Sequence, residues 1–177
     1  MVCSPEFKLR RASALAIAIS MAFAGPAGAG PQGAAVVNGQ VTITQPNAGT
    51  TQIQASNGAI INWQKFSIGA GETTRFVQPS ASSAVLNRVV GQEASQLLGQ
   101  LQANGRVFLI NPNGIAIGAG ARIDTDGFIA STLDMTDADF LAGKLRFFAN
   151  GLAGGINNRG LITVGPQGQV ALIAPNV

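Results

Sequence analysis

The chain has no histidine, no tyrosine and a single cysteine among its 177 residues, and only 11% of its residues are charged. Without histidine there is no Ser-His hydrolytic triad. The lone Cys3 sits near the start, so the chain beyond Ala29 holds neither a thiol nucleophile nor a disulfide. Ordinary globular chains carry roughly 25% charged residues, and helices need solvated charged faces, so the shortage of charge argues against a helical domain. The pI near 9.8 does not signal nucleic-acid binding either. Lys8, Arg10 and Arg11 cluster at the N-terminus. Beyond Ala29 there remain 8 basic and 7 acidic residues, with the basic ones scattered singly from Lys65 to Arg159. A phosphate-binding surface needs its cations together.

The N-terminal segment has the parts of a secretory signal peptide over residues 1–29. Lys8-Leu9-Arg10-Arg11 is the positive region, Ala12–Ala24 a 13-residue apolar run, and Ala27-Gly28-Ala29 an A-x-A cleavage site for signal peptidase after Sec export. A membrane anchor would want about 20 apolar residues, and Gly25-Pro26 ends this run early. Cys3 precedes the run, so it is not a lipobox cysteine. A chain free of disulfides suits passage through a second membrane in the unfolded state, where a cross-link would lock a loop.

From Gly30 onward, short apolar runs alternate with Asn-Gly turns at Asn38-Gly39, Asn57-Gly58, Asn104-Gly105 and Asn113-Gly114, with looser copies at Arg159-Gly160 and Gln167-Gly168. Both Asn and Gly tolerate positive φ, which makes the pair a turn signal. One reading is a set of β-hairpins. The spacings favour a solenoid instead: 19 residues from Asn38 to Asn57, 46 from Asn111 to Asn157, and 49 between the two Ile-Gly-Ala-Gly tetrapeptides at Ile68 and Ile117. Strands such as Val41–Thr44, Phe66–Ile68 and Val107–Ile110 would stack in parallel about 4.8 Å apart around an apolar interior. Two helical excursions are expected. Glu93–Gln102 places Ala94, Leu97, Leu98 and Leu101 at helical spacing, and Thr136–Leu141 opens with a capping residue and an acidic first turn.

Six runs, in order, carry a resemblance. They are Ile61–Gly69 (INWQKFSIG), Glu72–Pro79 (ETTRFVQP), Ser83–Val89 (SAVLNRV), Leu101–Gly105 (LQANG), Val107–Ile115 (VFLINPNGI) and Gly168–Pro175 (GQVALIAP). Together they resemble the N-terminal secretion domain of two-partner secretion (TPS) exoproteins, the filamentous haemagglutinin, haemolysin and adhesin family. The resemblance implies an all-β, right-handed parallel β-helix over residues 30–177, with short excursions or caps, standing before a longer passenger. It implies a TpsB-type outer-membrane transporter with periplasmic POTRA domains as partner, and a secreted or cell-surface location reached through the periplasm and outer membrane. It implies no cofactor and no metal. Contact with a host-cell surface would fall to the downstream region, and the chain stops at Ala174–Val177 in mid-pattern, as it would before hundreds of further residues.

The family signature is Asn111-Pro112-Asn113-Gly114-Ile115. Pro112 fixes φ near −65°, Asn111 can close an Asx-turn over it, and Asn113-Gly114 would supply the left-handed corner. A turn alone explains every residue of the segment, and direct docking to the transporter is the competing role. Secondary motif positions are Asn62, Trp63, Phe66, Asn87, Arg88, Asn104 and Gly105. Where the family often has an earlier Asn-Pro-Asn-Leu, this chain reads Leu86-Asn87-Arg88-Val89, and no role is carried over to it. Phe66, Phe76, Phe108 and Phe128 sit in apolar strand contexts and read as core, whereas Phe147 and Phe148 cannot both point inward on a strand. Asp124-Thr125-Asp126-Gly127 has part of a Ca²⁺ loop but lacks its remaining ligands, so it reads as a turn. Asp134, Asp137 and Asp139 read as helix-capping acids. No enzyme emerges, and two functions remain: a secretion-targeting and folding-seed module, or an adhesin module that itself binds a host glycan or receptor.

Overall fold

A computed structural model describes residues 30–151 and 153–177. The expected signal segment, with Ala27 and Ala29, lies outside the described residues. In chain order the strands are β1 (Ala35–Asn38), β2 (Val41–Asn47), β3 (Thr50–Ala55), β4 (Ala59–Trp63), β5 (Thr73–Val77), β6 (Ala84–Val89), β7 (Ser95–Leu97) and β8 (Gln100–Ala103). They continue with β9 (Arg106–Ile110), β10 (Ile115–Ile117), β11 (Arg122–Thr125) and β12 (Gly127–Ser131). After the short helix α1 (Asp137–Leu141) come β13 (Ile156–Asn158), β14 (Leu161–Val164) and β15 (Val170–Ile173).

These strands wind into a right-handed parallel β-helix of about four turns. Its three faces are the sheets β1-β4-β6-β9-β12-β15, β2-β3-β5-β8-β11-β14 and β7-β10-β13. Side chains alternate in and out along each strand, and the parallel register stacks equivalent inward positions turn upon turn. Ile61, Asn87, Leu109, Ala130 and Leu172 form one inward column on the first face. Thr74, Leu101, Ile123 and Ile162 form another on the second. Burying each large apolar side chain contributes about 1.5–3 kcal/mol, so the interior is fastened residue by residue along its axis. The two Ile-Gly-Ala-Gly copies are explained by this stacking: Ile68 and Ile117 both pair with Leu97, from opposite sides.

The first turn departs from the parallel scheme. β1 pairs antiparallel with β4, and β2 pairs antiparallel with β3. The hairpin reading, set aside for the repeat as a whole, therefore holds at β2–β3, where Gly49 takes φ +78°. These antiparallel pairs cap the N-terminal end.

Four expectations need correction. Glu93–Gln102 is not a helix but β7, a corner at Gly99, and β8. Ser95, Leu97 and Leu101 point inward while Leu98 is 42% exposed, a two-residue period where the helix register wanted both leucines on one face. β7 has β10 to pair with, and β8 has β5 and β11 on either side, so ladder hydrogen bonds override local helical spacing. Phe66–Ile68 is not a strand; only Ile68 makes an isolated bridge, to Leu97. Phe66 turns into the core beside Trp63 (5.6 Å, edge to face) and Phe76 (6.5 Å, stacked). Asn157 aligns with Ala116, not with Asn111, so their 46-residue spacing is not a register. Asn113 is not left-handed, for among the described residues only glycines take positive φ, Gly114 at +117° among them.

The second expected excursion is present as α1, capped by Thr136, whose hydroxyl accepts from the Asp139 amide at 3.0 Å. It belongs to a strap closed on itself by the antiparallel Asp134–Phe148 bridge. The strap covers the outer side of the first face, where Ile60, Leu86, Phe108 and Ile129 stand in register and Phe140 packs edge to face on Phe108 at 5.2 Å. Phe147 joins this second cluster and Phe148 is 44% exposed, which divides the Phe-Phe pair between cover and solvent. No helix among the described residues is long and apolar enough to cross a membrane.

Strand and helix readings of Glu93–Gln102 are separated by two substitutions. Leu97→Ala is expected to cost about 2–5 kcal/mol as a core truncation, and the exposed Leu98→Ala less than about 1 kcal/mol. Urea unfolding followed by the fluorescence of Trp63, the one tryptophan, measures both. Equal losses at the two positions would contradict the strand assignment.

Candidate functional site

The signature segment forms a corner between β9 and β10. Asn111 is fully buried, and its side chain is satisfied on both ends. Its Oδ1 accepts from the Asn113 backbone N–H at 3.0 Å, the expected Asx-turn, and from Asn113 Nδ2 at 3.0 Å. Its Nδ2 donates to the Glu93 carbonyl (3.0 Å) and to Ser95 Oγ (2.9 Å), both on the preceding turn of the helix. The Gly114 N–H closes back on the Asn111 carbonyl at 3.1 Å. With Pro112 second in this β-turn, negative φ at Asn113 fits a type I turn, which needs no left-handed third residue. The left-handed step then falls on Gly114.

The segment is tied to the turns on both sides. The Gly114 carbonyl accepts from Ser95, the Pro112 carbonyl from Gly154 at 2.7 Å, and the Ile115 N–H donates to Gly155. Ile115 points into the core at 2% exposure. Only Pro112, half-buried, and Asn113, exposed, reach the surface. In the folded domain, Asn111 and Ile115 cannot be touched by a partner.

Asn104 and Gly105 make a related corner. The Asn104 amide grips one peptide residue of the preceding turn, accepting from the Gln78 N–H and donating to the Gln78 carbonyl, each at 2.7 Å. Gly105 does not take positive φ; a Cβ there would meet the Gln78 side-chain amide at 2.6 Å, so the glycine leaves room for that amide to donate to the Ser83 and Arg106 carbonyls. The other Asn-Gly corners act likewise. Asn38 Nδ2 donates to the Gly58 carbonyl, Asn57 Oδ1 accepts from the Ala84 N–H, and Asn113 Nδ2 donates to the Gly91 carbonyl.

The earlier motif positions lie in and around the core. Trp63 is 1% exposed, which leaves no sugar-binding platform there. Its Nε1 donates to Asn87 Oδ1 at 3.0 Å, and Asn87 Nδ2 donates to the Phe108 carbonyl at 3.2 Å. Asn87, an amide inside an apolar column, is thereby paired, as buried polar groups must be. Asn62 faces outward next to Arg88 in register.

Arg88 has a role that sequence reasoning missed. It holds the strap at three points: Nε to Asp134 Oδ1 (3.0 Å), Nη1 to Asp137 Oδ1 (2.9 Å) and Nη2 to the Met135 carbonyl (2.7 Å). The side chains of Arg88 and Asp134 are only 15% and 17% exposed. Asp134 and Asp137 are thus partners of Arg88, while Asp137 and Asp139 also supply the acidic first turn of α1 as expected, Asp139 bonding the cap residue Thr136 directly. Asp124 lies within β11 and Gly127 opens β12, so the turn expected at Asp124–Gly127 is a single bend residue, Asp126, and no cluster suited to a metal ion occurs among the described residues.

The family model of the TPS secretion domain matches residues 27–177, and the chain belongs to that family, as the secretion domain of a two-partner exoprotein. The family is not a known enzyme family. Among solved structures, the chain is similar to the HMW1 secretion domain from Haemophilus influenzae, at 47% identity and a TM-score of 0.78, over 82% of this chain and 39% of that one. Among curated proteins it is similar to two heme/hemopexin-binding proteins of Haemophilus influenzae. One is 42% identical over 105 residues and the other 43% over 106, in each case 59% of this chain. The chain spans only 12% and 11% of the length of those relatives.

The Arg88 contacts give a specific expectation. Arg88→Met keeps the stem and removes the charge, leaving Asp134 and Asp137 unpaired; breaking such a pair costs about 3–5 kcal/mol when buried and less where solvent reaches. Tryptic cleavage after Lys144 and Arg146 in the strap should accelerate at least about tenfold, as the free energy of opening falls by about 1.4 kcal/mol or more. Wild-type cleavage rates in the variant would show that the strap is held by its apolar contacts alone.

Proposed function

We propose that this domain targets its protein to a TpsB-type outer-membrane transporter while unfolded, and seeds β-helix folding once outside. Residues 1–29 act as a Sec signal removed after Ala29, and residues 30–177 as the secretion domain, which is thereby delivered to the cell surface or medium. The observation that carries the reading is the burial of Asn111 and Ile115 inside a family-defining segment. Once the coil closes these side chains fasten it out of a partner's reach, so a transporter meets this stretch only in the unfolded chain, through backbone strand pairing and not through the Asn111 amide. An unfolded chain with little charge and strong strand propensity can add an edge strand to a POTRA sheet. Folding beyond the membrane, one turn on the next, makes return unfavourable without any nucleotide. The edges of β13, β14 and β15, with Ile162, Val164, Leu172 and Ala174 half-buried behind them, suit stacking of further turns. Host-ligand binding is assigned to the remainder of the full-length protein, because the aromatic side chains that could stack on a glycan are mostly in the core.

Asn111→Ala tests the reading, since it leaves the partners of the amide at Glu93, Ser95 and Asn113 without it. The domain is expected to lose about 1–3 kcal/mol, secretion should fall in step with lost folding, and the secreted product should begin at Gly30. Binding of the urea-unfolded chain to isolated POTRA domains should stay near wild type. Unchanged melting of the folded domain together with abolished POTRA binding would reverse the assignment and make Asn111 a recognition residue.

A further inference from the structure

The strap does not close evenly on the sheet beneath it. Arg88 draws it down at the Asp134–Asp137 end, but further along it stands off the register row Ala84–Arg106–Gly127. Two of these three outward positions carry almost no side chain, and a cavity of about 170 Å³ remains between sheet and strap. Phe108, Ile129 and Phe140 supply its apolar walls. Its lining includes two exposed cations, Arg106 from β9 and Lys144 from the strap, with Gln167 and Gln169 beside them and no carboxylate, so its solvent-facing side is positive. The stem of Arg106 lies across Gly127, where a Cβ would sit 3.0 Å from Arg106 Cγ, and its guanidinium spends one N–H on the Ser82 carbonyl at 2.8 Å.

We propose that this cavity binds a small apolar carboxylate, with one aromatic ring or branched chain inside and the acid group on the Arg106–Lys144 side. Size fits, since an apolar cavity of about 150 Å³ accepts benzene. Charge fits as well: a carboxylate there meets two cations at the edge of a low-dielectric wall, where its charge-assisted hydrogen bonds are stronger than neutral ones. A neutral molecule of the same shape gains only the apolar part. Because one wall and one cation belong to the strap, occupancy would also hold the strap down.

The test is a titration of the purified protein with phenylacetate and, in parallel, with the isosteric neutral phenylacetamide, read from the NMR methyl signals of Ile129 and Met135. Phenylacetate is expected to shift them saturably and to bind several-fold more tightly than the amide. Lys144→Gln, at an exposed position, should weaken phenylacetate roughly two- to fivefold, the loss of one partly screened charge pair, and leave the amide unaffected. Ala84→Leu should fill the depression and abolish the shifts of both ligands. Bound phenylacetate should slow tryptic cleavage after Lys144. Absence of saturable shifts, equal affinity for acid and amide, or an unchanged titration in the Lys144→Gln protein would each overturn the proposal.

Discussion

A coil corner in a parallel β-helix leaves peptide N–H and C=O groups that no strand ladder reaches, and unpaired backbone groups away from water cost about as much as a lost hydrogen bond. In this protein the asparagines of the Asn-Gly corners meet that constraint by reaching across to the neighbouring turn. Asn38, Asn57, Asn104 and Asn113 each bond a backbone group there, and Asn111 does the same from inside. An amide suits the task because it both donates and accepts; Asn104 uses both ends on the single residue Gln78. A carboxylate could only accept, and a hydroxyl has a single oxygen, which at Ser67 reaches one amide of the next turn, that of Gln96. The low charge of the sequence follows from the same economy, since neutral amides pin the corners where ions would have to be desolvated.

The stacking of turns dictates the rest of the structure. Interior columns are largely Ile, Leu, Val and Phe, and an amide within one of them, Asn87, is admitted because Trp63 and the Phe108 carbonyl satisfy it. On the first face the outward row Ile60–Leu86–Phe108–Ile129 is apolar as well, which water would penalise, and the strap exists to cover it. Arg88 stands in the next outward row, two residues past Leu86 and in register with Asn62 and Ile110, and converts a hydrophobic contact, which lacks direction, into a fixed position for Asp134, Asp137 and the Met135 carbonyl.

Much of this was legible in the sequence, and the failures have physical causes. Asn-Gly repeats, alternating apolar runs and a Thr-capped acidic segment are local signals, so the solenoid, the buried Phe76, Phe108 and Phe128, and α1 could be anticipated. The Asx-turn at Asn111 could be too, because its partner is two residues away. Glu93–Gln102 misled because Leu97, Leu98 and Leu101 fit helical spacing while Leu97 and Leu101 also suit two short strands; only the ladders offered by β10, β5 and β11 decide between them. The left-handed step was placed on Asn113, although a type I turn behind Pro112 passes it to Gly114. The strap contacts of Arg88 were silent because its partners Asp134, Met135 and Asp137 lie 46 to 49 residues on in the sequence, across a strap whose docking no local pattern announces. The Asp134–Asp139 cluster was noticed, and read as helix caps alone.

The central claim is that corner asparagines bind neighbouring turns into one cooperative unit. Native-state amide exchange in Asn104→Ala tests it most directly, because the Gln78 N–H loses its acceptor and the Gln78 carbonyl its donor. Protection is expected to fall roughly 5- to 150-fold, the equivalent of about 1–3 kcal/mol. The fall should appear together at Gln78 and along β5, β6, β8 and β9. Faster exchange confined to Gln78, with those four strands protected as in the wild type, would contradict the account.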